Sequence, residues 1–419
     1  MIRFVSFGLL LIFLFLCPIP SRAQYIDLNR MEQVVDSIIQ KGLDSLAFPG
    51  AQLLVARGGH ILLSKAYGHH TYARQRPVQR TDLYDLASIT KVSTGLPILM
   101  KLYGEGKLSL DKSLGECLPY FKNSDKAPLR LRELLSHQAG MQPYIVYWQD
   151  CFRKNGRAKW GYFRKRPTRS HNIYLADQLY LRRKYPRKIR QAIKKSPLST
   201  EKKYRYSGLF FQLLPQLIEG LTAADFETYL QQEIFDPIGA NSLCFRPSLR
   251  YPLTQIVPTE RDTFFRHQLV HGQVHDEAAA MLGGVSCNAG LFGTAEDLAK
   301  LFQLYLNKGQ HNGQQLIPAA AVDTFTRRHY ADNDNRRGLG FDKPLLQYNA
   351  RAAYIAKDAS PSSFGHSGFT GTFVWADPEH QLLVVLLTNR VHPHRSNRKL
   401  YQLNLRPDLH QAIYDSLQR

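Results

Sequence analysis

The chain of 419 residues has little cysteine: five in all. No two stand as Cys-x-x-Cys, which argues against a zinc knuckle or a dithiol redox centre. Cys117, Cys151, Cys244 and Cys287 lie beyond the N-terminal segment. In an exported chain they could pair in three ways, with buried free thiols the equal alternative. Past residue 23 no apolar run approaches the ~20 residues of a bilayer-spanning helix. No segment repeats, so a solenoid or propeller is not indicated. Acidic residues are scarce, 34 against 55 Lys and Arg, for a net charge of +21.

The start of the chain has the form of a targeting segment. Arg3 is followed by an apolar run from Phe4 to Leu16, too short to span a bilayer, and then by Ser21-Arg22-Ala23. Cleavage before Gln24 is expected, with an exported, periplasmic or extracellular product. Cys17 raises lipidation and hence membrane association, although the Leu16 before it fits a lipobox poorly.

The positive charge is concentrated. Between Cys151 and Tyr206 stand nineteen Lys and Arg against only Asp177 and Glu201, so nearly the whole surplus lies in one segment. Such a stretch suits anionic partners, a membrane surface or an acidic envelope polymer. Export argues against nucleic acid. The plain alternative is a solvated face.

Periodicity predicts an α+β fold. Leu28–Leu46 has apolar residues at helical spacing (Met31, Val34, Val35, Ile38, Ile39). Gly50–Arg57 and His60–Gly68 flank Gly58-Gly59 as a hairpin. Gly371–Ala376 and Leu382–Thr388 form another across Asp377-Pro378-Glu379-His380, and a helix from about Asp408 to Leu417 closes the chain. Between them, helices are expected over Leu129–His137 with Gly140 as C-cap, Ala176–Tyr185, Arg187–Lys195, Phe210–Leu221 and Phe226–Ile234. Another should follow a Thr294-Ala295-Glu296-Asp297 capping box. The simplest assembly is one antiparallel sheet built from both chain ends and flanked by helices. A helical lobe at roughly 85–300 is inserted in it, with the basic insertion at 151–206 inside the lobe.

Ser88 and Lys91 are three residues apart, so a helix starting at Ser88 puts both side chains on one face. The hydroxyl would sit at the positive helix end, with the Lys91 nitrogen near enough to take or relay its proton provided burial lowers its pKa. Pro97 should kink that helix about two turns in. Downstream stand Tyr206-Ser207-Gly208 and His366-Ser367-Gly368. In that order the three pieces resemble the serine β-lactamase and penicillin-binding-protein superfamily, in its class C β-lactamase, D-Ala-D-Ala peptidase and esterase branch. The resemblance spans nearly all of the chain beyond residue 23. It includes Leu134-Leu135-Ser136-His137-Gln138-Ala139-Gly140, Gly290 to Leu298, Gly365 to Thr372 and Thr388-Asn389-Arg390.

The resemblance implies a β-lactamase/transpeptidase-like fold and acyl transfer without a cofactor. Ser88 would be the acylated nucleophile, with Lys91 and Tyr206 sharing the proton work. His366 would line the cleft in the place of the family's Lys or His, charged conditionally, making activity depend on pH near neutrality. The backbone N–H groups of Ser88 and Phe369 would form the oxyanion hole, and Gly208, Ser367 and Gly368 would meet the substrate. The implied substrate is an ester, a β-lactam or a peptidoglycan-derived D-Ala-D-Ala-type peptide.

Gly208 departs from the family's Asn or Asp. That loss disfavours amide and lactam turnover more than ester hydrolysis, and leaves open a protein that binds cell-wall peptide or anionic polymer with little turnover. His271 and His275, at helical i, i+4 spacing ahead of Asp276 and Glu277, offer a metal hydrolase as a further alternative. The general-base Glu beside the first His is missing, and no metal is expected.

Overall fold

The computed structural model describes residues 27–417. The expected targeting segment, residues 1–23 with Cys17, lies outside the described residues.

Five antiparallel strands form the main sheet, in the order Phe364–Ser367, Phe373–Asp377, Leu382–Thr388, Gly50–Arg57, His60–Gly68. The N-terminal and C-terminal strands meet at its centre, where Leu53 pairs with Leu386 and Leu54 with Val385. Alternation along these strands divides the protein into two cores. Leu53, Val55, Trp375 and Val384 face one side, where Met31, Val35 and Ile39 of the first helix (Leu28–Asp44) pack beside Leu409 and Ile413 of the last (Leu405–Leu417). Leu54, Ala56, Val374 and Val385 face the other, toward Leu298 and Leu301 of the helix Ala295–Leu306 and the inserted region beyond. Because both faces are covered, Leu382–Thr388 is buried at every position and reads as a continuous apolar run.

Several local expectations are corrected. Residues Ala176–Tyr185 do not form a helix. Residues 176–182 belong to a hairpin of His171–Ala176 and Leu179–Arg182, joined by Phe163–Arg164 in a three-stranded sheet. The expected helix at Arg187–Lys195 begins at Tyr185. The helix Leu131–Leu135 ends before Gly140, and His137 takes the left-handed turn with φ 58°. Only Leu214–Thr222 of the stretch from Phe210 is α-helical, and the helix after Phe226 passes into a π turn at Gln231. Thr294 caps its helix as expected, accepting from Asp297 N at 3.2 Å. All four cysteines within the described residues are free thiols.

Candidate active site

The segment that carries Ser88 is held at both ends. Leu86 N donates to Leu291 O at 3.0 Å. The buried Asp85 carboxylate accepts from Ala87 N at 2.8 Å and from His275 N at 2.7 Å. Ala87 adopts φ 47°, and Ser88 follows in a 3₁₀ turn rather than at the start of a regular helix. The α-helix proper runs Thr90–Ser93, breaks at Thr94, and resumes as Gly95–Gly104. The break therefore precedes Gly95, and Pro97 causes no kink two turns in. Pro97 sits in the first turn of the second helix, where its missing N–H costs little. Gly95 is required there, since an added Cβ would lie 2.9 Å from Cys287 Sγ.

The Ser-x-x-Lys spacing still brings the two side chains together. Lys91 is 2% exposed, and its Nζ donates to Ser88 Oγ at 3.0 Å and to Asn288 O at 2.8 Å. The same Nζ lies 5.3 Å from the centre of the Tyr206 ring and 5.6 Å from that of Phe211. A buried ammonium is thus held by a hydroxyl, a carbonyl and two ring faces.

Tyr206 arrives on the chain leaving the basic insertion. Its ring is tilted against His137 at 4.6 Å between centres and lies 6.1 Å from His366. Its neighbour Ser207 fixes that approach, donating from N to His137 Nδ1 at 3.2 Å and from Oγ to Gln142 O at 2.6 Å. Arg337, 4% exposed, places its guanidinium 5.2 Å from the Tyr206 ring centre and donates to Tyr204 Oη at 3.2 and 3.3 Å. Asp342 holds Arg337 at 3.4 Å and Arg336 through two hydrogen bonds of 2.8 and 3.0 Å. These cations keep the Asp342 carboxyl far below the usual carboxylate range despite its burial.

His366 lies on the edge strand of the main sheet, 3% exposed. Burial, together with the charges of Arg337 and Lys91, pushes its imidazole down to about 3. The expected charge switch near neutrality is therefore corrected, because His366 is neutral there. Its Nδ1 lies 2.8 Å from Ser367 O, a pure acceptor, so Nδ1 carries the hydrogen and Nε2 is left as a buried acceptor without a protein partner. Gly368 follows, and a Cβ there would stand 2.6 Å from Leu86 O and 3.1 Å from Ala87 Cβ. This contact brings the strand end bearing Phe369 against the turn bearing Ser88. Phe369 is half exposed, stacked on His275 at 5.6 Å, with the Arg390 guanidinium 4.6 Å from its ring centre. Gly208 is fixed by N–H donation to Pro143 O at 3.1 Å, and a Cβ there would meet only Asn288 Cβ at 3.9 Å.

Ser88, Lys91, Tyr206 and His366 thus share one site. His271 and His275 do not converge on a metal: the chain between them is not helical, and Gly272 has φ 76°. His271 Nε2 bonds to Ile256 O at 2.7 Å, and His275 Nε2 pairs with Glu260 at 2.9 Å. Reading the sequence missed Arg337, Asp342 and Asn288. Arg337 carries no local signal, being one arginine of many.

Comparison with known proteins bears on the family and the fold. A family model described as Beta-lactamase matches residues 35–406. A protein of Salmonella typhimurium named "Putative D-alanyl-D-alanine carboxypeptidase" is 31% identical over 399 residues, covering 87% of this chain and 84% of its own. Among solved structures, a penicillin-binding-protein homologue from Caulobacter crescentus superposes with TM-score 0.65 at 19% identity, covering 93% of this chain and 98% of its own. A class C β-lactamase does so with TM-score 0.66 at 16% identity, covering 93% and 97%. The structural likenesses establish the fold, and the sequence match over most of the chain establishes kinship: this protein is a serine hydrolase that belongs to the β-lactamase family.

Proposed function

We propose that the protein is an exported hydrolase that opens an ester, a β-lactam or a D-Ala-D-Ala-type peptide through an acyl-enzyme on Ser88. The 3.0 Å contact between Lys91 Nζ and Ser88 Oγ carries the reading. Ser88 Oγ attacks the acyl carbon while its proton passes to Tyr206 acting as a phenolate, with the Lys91 ammonium and the Arg337 guanidinium beside its ring. The bond to the leaving group breaks, and that group takes the proton. Water then attacks the acyl ester and restores the Ser88 hydroxyl. Positive charge beside Tyr206 comes from Lys91 and Arg337, and the neutral His366 offers Nε2 as an acceptor for the phenol or the substrate. The amides of Ser88 and Phe369 are the candidate oxyanion donors, supported by the tight contact of Gly368 with Leu86 and Ala87. The name of the Salmonella relative favours a peptide. Gly208, which lacks the family's amide side chain, favours an ester, or binding without turnover.

A panel of a chromogenic cephalosporin, a p-nitrophenyl ester and a D-Ala-D-Ala peptide tests this, with wild type and Ser88→Ala. Ester cleavage at least is expected, reduced roughly 10³-fold or more in the variant. A tagged fluorophosphonate should label Ser88. A label at Ser88 that turns over defeats the binding-only reading, whereas no label and no turnover of any substrate defeats the hydrolase.

A further inference from the structure

Apart from Tyr206 at its end, the basic insertion has no part in that chemistry, yet it is a built unit. Its three-stranded sheet is followed by the helix Tyr185–Lys195, which buries Tyr185, Ile189 and Ile193 and turns Arg187, Lys188 and Lys195 outward. Between Arg153 and Arg169 stand eight Lys and Arg residues and no acidic one, all eight exposed. In the whole insertion, among the described residues, only Lys202 and Lys203 have a carboxylate partner. The tip is clipped to the helix, because Lys188 Nζ donates to Tyr162 Oη at 2.7 Å. At that tip Trp160 is 88% exposed, with the Arg164 guanidinium 5.9 Å from its ring centre.

We propose that this surface docks the protein on an anionic phospholipid bilayer, with Trp160 entering the interfacial layer. Charge alone would serve any polyanion. An indole left almost wholly in water amid unpaired cations is what distinguishes a lipid surface, since its ring gains by leaving water only where an apolar layer lies beneath the anionic groups. Docking would also orient the cleft. The insertion is tied to the wall of the site by hydrogen bonds from Ser199 N to Gly140 O and from Arg205 N to His137 O, both 2.9 Å.

Co-sedimentation of the purified protein tests the proposal, using vesicles of phosphatidylcholine alone and mixed with phosphatidylglycerol. Strong binding to the mixed vesicles only is expected, weakening with salt and accompanied by a blue shift of tryptophan emission. That shift should vanish in Trp160→Phe, because Trp375 is buried and the partly buried Trp148 is stacked on Phe265. The triple variant Arg164→Gln, Lys165→Gln, Arg166→Gln should bind roughly a hundredfold more weakly, at about fivefold per base, with ester hydrolysis unchanged as the check on folding. Should the triple variant misfold, the salt series and Trp160→Phe decide by themselves. Equal binding to neutral vesicles, no binding, or retention on heparin without a tryptophan shift on vesicles would each overturn the proposal.

Discussion

Arg337 stands between Tyr206 and Asp342, its guanidinium 5.2 Å from the phenol ring centre and its Nε 3.4 Å from the carboxylate. With Arg336 also on Asp342, two positive charges face one negative, and the surplus lies beside Tyr206. Arg337→Gln should therefore remove about 1–3 kcal/mol of stabilisation from a negative charge developing on the phenol. The expected loss is roughly 10- to 100-fold in kcat/KM, with Arg337→Lys intermediate. The fold should survive because Arg336 still pairs Asp342. Steady-state kinetics on the best substrate of the panel, with a thermal melt, checks both parts.

The His366 imidazole, held down to about 3, sets two expectations for pH. The profile of kcat/KM should show no step near 6.5 that disappears in His366→Gln. Stability should respond in a defined direction. The unfolded chain takes up this proton as pH falls through ~6.5, whereas the folded chain does so only near 3. The protein must therefore lose stability as pH falls from 6.5 toward 3, by up to about 1.4 kcal/mol per pH unit from this group. His410, also pushed down to about 3 by burial, adds to the same slope. Urea midpoints at neutral and mildly acid pH should differ less in His366→Gln than in wild type.

Ser88 and Lys91 were legible because one turn of helical backbone suffices to pair them, and the central strands because they are buried on both faces. The hairpin His171–Arg182 was not. Ala176, Leu179 and Tyr180, at i, i+3 and i+4, fit a helical stripe as well as a strand, and the turn at Asp177-Gln178 lacks glycine or asparagine. Gln178 adopts φ 50°, and Gln268, far along the chain, holds the turn through Asp177 N at 2.9 Å and Asp177 O at 3.1 Å. A tertiary contact fixes that turn, so no local signal announces it. The charge of His366 was illegible for a similar reason, since it depends on burial and on Arg337, which reaches the site only in the folded chain.

Gly208→Asn asks whether a missing side chain limits the reaction. Space is available, because the nearest atom to an added Cβ is Asn288 Cβ at 3.9 Å. The new amide would enter beside Asn288, whose carbonyl already accepts from Lys91 Nζ at 2.8 Å. One hydrogen bond to substrate or ammonium, worth about 1.5–3 kcal/mol when charged, should raise peptide or lactam turnover roughly 10- to 100-fold relative to ester turnover. An unchanged ratio would show that this position does not contact the substrate amide here.

Gly368→Ala probes how closely the oxyanion strand must approach the nucleophile. The added Cβ would meet Thr372 Oγ1 at 2.1 Å and Leu86 O at 2.6 Å. The threonine hydroxyl can rotate away, but Leu86 cannot retreat readily, because its own N–H is bonded to Leu291 O at 3.0 Å. The strand end must move outward instead, carrying the Phe369 amide with it. Overpacking of this kind costs about 1–3 kcal/mol of stability, whereas the displaced amide should cost roughly 100-fold or more in kcat. Gly220→Ala is the control: it lies in the helix Leu214–Thr222 with no atom within 4 Å of an added Cβ. That exchange should stabilise by about 0.5–1 kcal/mol and leave kcat alone. If Gly368→Ala loses stability but keeps its kcat, the amide of Phe369 does not hold the oxyanion.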